Sequence, residues 1–129
     1  MKIGEVFRTD DFKNEKHVPV IEIPDDIKSN ELFEITVSVG KEIAHPNVSE
    51  HFIAWMKLYY KVDGDPNVYE IGKAEFSAHG ASVKGANSLE LHSEPTAKFH
   101  MKSEKPGTLI ATSYCNIHGL WENSVRIEF

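Results

Sequence analysis

Between Glu31 and Gly40 apolar and polar side chains alternate without a break, with Phe33, Ile35, Val37 and Val39 on one face and Glu34, Thr36 and Ser38 on the other. A period of two is the signature of a strand with one buried face. His51 to Val62 is a second, more apolar run, with Phe52, Ala54, Met56, Leu58 and Tyr60 on one face and Ile53, Trp55 and Tyr59 on the other, so both faces need cover. Turn signals then recur at short intervals: Asp63-Gly64-Asp65-Pro66-Asn67, Gly80 to Gly85, Glu94-Pro95 and Lys105-Pro106-Gly107. They frame further strands at Val68–Ala78, Ser88–Ser93, Thr96–Ser103, Thr108–Tyr114 and Ser124–Phe129. Strands this short and this regularly punctuated predict an all-β fold, an antiparallel sandwich or barrel of about seven strands. The 129 residues, 40% of them hydrophobic, suit one domain spanning 1–129 with a single core.

Ahead of these strands, Met1 to Asn14 reads as a terminal arm or short helix. Glu15 to Pro24 carries two prolines and therefore reads as an exposed loop leading to an edge strand. That loop presents His17.

A formal charge of -6 and a pI near 5.6 argue against nucleic acid or an anionic membrane surface as partner, because both demand clustered positive charge. The first fifteen residues mix charges without an apolar signal-peptide core, and no segment approaches the roughly 20 apolar residues of a membrane span. The expected location is the cytoplasm. One cysteine makes no internal disulfide and is free to act as ligand or nucleophile.

That cysteine lies in Ser113-Tyr114-Cys115-Asn116-Ile117-His118-Gly119, at a strand end with a histidine three positions on, a metal-ligand spacing. Backbone N–H groups of Ile117 and His118 are placed to point back at a thiolate. Three of the seven histidines, His79, His92 and His100, fall in strands or an ordinary turn and read as structural or surface residues. The other four, His17, His45, His51 and His118, occupy loops or strand ends, as Cys115 does. Loops from distant parts of a sandwich gather at one end. Four imidazoles and a thiolate exceed the tetrahedral set of structural zinc, so an ion taking five or six ligands, iron first, fits better.

Glu15-Lys16-His17-Val18-Pro19, His45-Pro46 with His51 six positions on, and Cys115-Asn116-x-His118-Gly119 together resemble the signature segments of superoxide reductases, the neelaredoxins and desulfoferrodoxins. With one cysteine there is no separate four-cysteine iron domain, so the resemblance is to the single-iron class. It implies an immunoglobulin-like β-sandwich that reduces superoxide to hydrogen peroxide at a mononuclear non-haem iron. By that resemblance His17, His45, His51 and His118 bind iron equatorially and Cys115 binds axially. Glu15 closes the sixth position in the ferric resting state, and Lys16 puts positive charge beside it. The resemblance also implies rubredoxin as electron donor and a homo-oligomer, a tetramer in some members.

Two other readings of the same residues stand beside this one. A cupredoxin-like electron carrier also places Cys-x-x-His late in a sandwich, but its axial methionine is missing between His118 and Phe129 and three histidines are left over. A zinc-stabilised binding module leaves the same surplus. Trp55 and Trp121 read as core or subunit contacts.

Overall fold

The computed structural model describes residues Met1 to Phe129. Seven strands form two antiparallel sheets: β1 (Val20–Glu22), β2 (Phe33–Ser38), β3 (Ile53–Val62), β4 (Tyr69–Glu75), β5 (Thr96–Met101), β6 (Gly107–Cys115) and β7 (Gly119–Ile127). One sheet runs β1-β2-β5 and the other β4-β3-β6-β7. Edges of the two sheets approach where β1 meets β7 and β4 meets β5, so the sandwich is partly closed at both sides. No helix is long and apolar enough to cross a membrane.

The alternation in β2 does what its period requires: Phe33, Ile35 and Val37 are buried and their neighbours are not. They pack against Met56, Leu58, Leu109, Ala111 and Ile127 of the facing sheet. Complete burial of each large side chain contributes roughly 1.5–3 kcal/mol. Cys115 belongs to the same cluster and is fully buried, which sets the thiol at one end of the core.

Several boundaries differ from expectation. Ile53 joins the core face with Met56, Leu58 and Tyr60, because the β3–β6 register shifts between Ile53 and Trp55 and returns Ile53 to the inner side. A bulge of this kind cannot be seen in a two-residue period. Ser88 to Ser93 forms no strand; its one ladder contact is an isolated bridge between His92 and His79. β7 starts at Gly119 rather than Ser124, since the Cys115 loop is itself the β6–β7 hairpin turn, with Cys115 opposite Gly119. Only three residues lie between them. Gly119 has φ +83°, the left-handed residue that ends a three-residue hairpin loop.

The terminal arm contains a single 3₁₀ turn, Ile3–Glu5, and then lies along β7. Arg8 N–H donates to Leu120 O at 3.1 Å, and Glu122 N–H donates to Arg8 O at 2.8 Å. The loop after it is buried rather than exposed: His17 and Val18 are 5% and 1% accessible. Ser113 Oγ donates to His17 O at 3.1 Å and Asn123 Nδ2 to Pro19 O at 2.9 Å, so β6 and β7 pin this segment across the open end of the sandwich.

Candidate metal centre

Three stretches of chain meet at that end. His17 stacks on the buried Trp121, with ring centroids 5.0 Å apart and planes 13° apart. His45 sits on the bend after β2, held close by Gly40, whose φ of +88° and missing Cβ matter here: a Cβ would lie 2.8 Å from the backbone N of His45. His51 closes a tight turn with Val48, each residue's N–H bonding the other's carbonyl. Cys115 and His118 bracket the β6–β7 turn.

Asn116 splices two of these stretches. Its Oδ1 accepts from Phe52 N–H at 2.8 Å and its Nδ2 donates to Glu50 O at 2.8 Å. Trp121 serves the other pair, backing His17 with its face while Nε1–H donates to His118 O at 3.2 Å. The sequence reads Trp121 as a core or subunit contact and gives Asn116 no role of its own. An indole or an amide gains its role here only from the register that places it.

Donor atoms of His17, His45, His51 and Cys115 all lie within 4.8 Å of one another. His118 Nδ1 joins them, 3.1 Å from His17 Nε2, 3.2 Å from His51 Nε2 and 3.8 Å from Cys115 Sγ. Nitrogens bound side by side at about 2.0–2.1 Å from one ion are themselves about 3 Å apart. Ring centroids fall at 4.9, 4.8, 5.0 and 4.6 Å around the circuit His17–His45–His51–His118, whereas His17 and His51 are 6.4 Å apart. Those are the sides and a diagonal of a square.

The far nitrogens fix which lone pairs point inward. His45 Nδ1–H donates to Pro46 O at 2.6 Å, leaving Nε2 buried with no partner. An orphaned acceptor at the centre of a donor cluster is what an ion satisfies. Glu15 Oε1 lies 2.5 Å from His17 Nδ1 and also accepts the His17 backbone N–H at 3.0 Å, so Glu15 orients the imidazole from behind. His118 N–H lies 3.4 Å from Cys115 Sγ, as its place in the turn suggested. The equivalent contact from Ile117 is not formed.

Electrostatics disfavour a proton on three of the imidazoles and leave them able to bind. Burial pushes His45 down to about 4, and the charges of His17, His51 and Lys16 press the same way. Burial also lowers His17, against the opposing bond from Glu15, and lowers His51, with the His118 charge second. For Glu15, burial would raise the carboxyl, but the hydrogen bonds from His17 outweigh it and hold it below the usual range. Lys16 is half-buried, pairs with no carboxylate and acts on three of the histidines. His118 and Ile117 are exposed, so the cluster is closed toward the core and open on the His118 side.

The remaining histidines stand apart. His79 is buried under Phe52, and His92 and His100 are exposed.

An all-β sandwich with four imidazoles and a thiolate converging at one end defines a class, the non-haem metalloproteins with a mononuclear mixed nitrogen and sulfur site. Comparison with known proteins narrows it. The desulfoferrodoxin family model matches residues 9–124, and the chain belongs to that family. It is 51% identical over 126 residues to a superoxide reductase of Pyrococcus furiosus, covering 98% of this chain and 99% of that one. With the neelaredoxin of Megalodesulfovibrio gigas it shares 50% identity over 127 residues, covering 98% of both. Among solved structures, the reduced superoxide reductase (neelaredoxin) of Archaeoglobus fulgidus superposes with a TM-score of 0.89 at 49% identity, over 96% of this chain and 99% of that one.

Proposed function

We infer that this chain is a superoxide reductase that uses iron, and that His17, His45, His51, His118 and Cys115 hold the ion. The observation that carries this is the convergence of four imidazole nitrogens and one thiolate on one point. That donor set exceeds a tetrahedral zinc site and lacks the methionine of a copper carrier. Iron held there supplies one-electron chemistry: one electron and two protons convert superoxide to hydrogen peroxide, and an external donor restores the electron.

The chain's own residues prepare that chemistry. Cys115, on the core side, would hold the iron through its sulfur, which the His118 N–H orients. Lys16, whose charge is felt at His17, His45 and His51, would supply the attraction for an anion that an acidic protein lacks overall. Glu15 is the carboxylate that would also serve as a ligand to the iron. Its carboxylate is engaged at the far nitrogen of His17, so binding the iron and orienting His17 would compete for one side chain.

The electron donor in this reading is rubredoxin, docking on the exposed His118–Ile117 side. The protein is placed in the cytoplasm, where a free ligand thiol stays reduced. Family membership supports a homo-oligomer, a tetramer by the same reading, built from one domain of residues 1–129.

Metal content and electron paramagnetic resonance on one oxidised sample, followed by peroxide yield with reduced rubredoxin present, test the assignment. Stoichiometric high-spin ferric iron and one peroxide per superoxide are expected. Half that yield, with no donor consumed, would mean dismutation instead.

A further inference from the structure

His79 lies outside the donor cluster and is 8% accessible, yet both of its ring nitrogens are engaged. Nε2 is 2.7 Å from Phe76 O and Nδ1 is 2.8 Å from Asn47 Oδ1. A backbone carbonyl only accepts. The Asn47 amide is fixed as well, because its Nδ2 donates to Ser93 O at 2.9 Å; turning it over would set oxygen against oxygen. Two acceptors require two N–H donors. The ring also lies flat against Phe52, with centroids 3.8 Å apart and planes 7° apart, a face that favours a cation.

We propose that His79 is a positioning residue for the metal centre, a buried imidazolium whose two N–H groups and stacked ring lock the 45–52 ligand loop onto the 76–93 segment. This rests on the metal-site reading above. The loop carries His45 and His51, and the contacts fall between and beside them. Asn47 is two residues after His45, Phe52 follows His51, and Ser49 Oγ donates to the carbonyl of His79 itself at 2.9 Å. Asn87 completes the clamp, its Oδ1 accepting Ser49 N–H at 3.0 Å. The titratable groups on the two segments are His45, Glu50 and His51 on one side and Lys84, Glu90 and His92 on the other. None of them hydrogen-bonds the ring.

Loosening this clamp frees two ligands at once. Groups that orient metal ligands typically affect affinity by about 10–100-fold when removed. Nitrogen-15 spectra of selectively histidine-labelled, zinc-loaded protein at pH 7 should show both nitrogens of His79 protonated. One bare ring nitrogen would overturn the proposal, with the metal-site reading unaffected. Cobalt(II) affinity, by competition with a chelator, should fall about 10–100-fold in His79→Leu, with the thiolate-to-cobalt band retained and the ligand-field bands shifted. His79→Gln, which keeps N–H donors, should recover part of that loss. Equal losses in the two variants would reduce His79 to packing, and unchanged affinity in both would remove it from the site. Failure of the unaltered protein to bind cobalt at all would instead count against the metal centre itself.

Discussion

With the metal removed, acid should weaken this fold through His45. Its imidazole sits at about 4 in the folded chain, chiefly because of burial, against 6.5 for the free group. Between those values the unfolded chain takes up a proton that the folded chain refuses. Stability therefore is full above about 6.5, declines as the pH falls toward 4 and levels off below it. A gap of about 2.5 units at about 1.4 kcal/mol per unit corresponds to about 3 kcal/mol, a large share of the 5–15 kcal/mol that holds a typical domain together. His17 and His51 are shifted the same way and steepen the decline. The control is His45→Asn, whose amide N–H can stand in for Nδ1 toward Pro46 O but takes no proton. Urea unfolding of both metal-free proteins at pH 7, 6, 5 and 4 measures the difference. The unaltered protein should lose about 3 kcal/mol more than the variant over that range. Parallel curves would mean that the half-buried His45 imidazole is not held neutral, and the account of the site's electrostatics would be wrong.

Other outcomes follow from the same geometry. Cys115→Ser should abolish the thiolate-to-iron absorption band and superoxide reduction while the sheets stay folded, as checked by visible and far-ultraviolet spectra. Lys16→Ala should keep iron but slow the encounter with superoxide and flatten its salt dependence, since the lysine contributes charge and no bond; stopped-flow rates at two ionic strengths decide it. Gly40→Ala should lower both thermal stability, by about 1–2 kcal/mol for the left-handed backbone alone, and metal affinity, because the added Cβ meets the backbone of His45; calorimetry and chelator competition report the two effects.

Strand alternation was legible wherever one face was buried and one was not. Phe33 to Val39 needed nothing but its period, and the turn dipeptides marked most strand ends. The failures share a cause. Ile53 changed face at a bulge, and β7 began five residues early because a ligand turn doubles as a hairpin turn. His17 looked exposed because its prolines mark a loop, and nothing local records that Ser113, Trp121 and Asn123 would cover it. The residues that cluster at this end were legible as candidate donors because imidazole and thiol chemistry is written in residue type. Their supports were not, since His79, Asn47, Asn116 and Trp121 are ordinary residues whose roles come from partners far away along the chain.

The pairing of His17 with His118, 101 positions apart, also sets an order of events. As the chain is made, His17, His45 and His51 emerge first, and their nitrogens have no thiolate to meet until β6 has been delivered. Even then they converge only after β6 and β7 have paired and pinned the His17 segment. The five donors therefore come together in full only in a sandwich that has already closed.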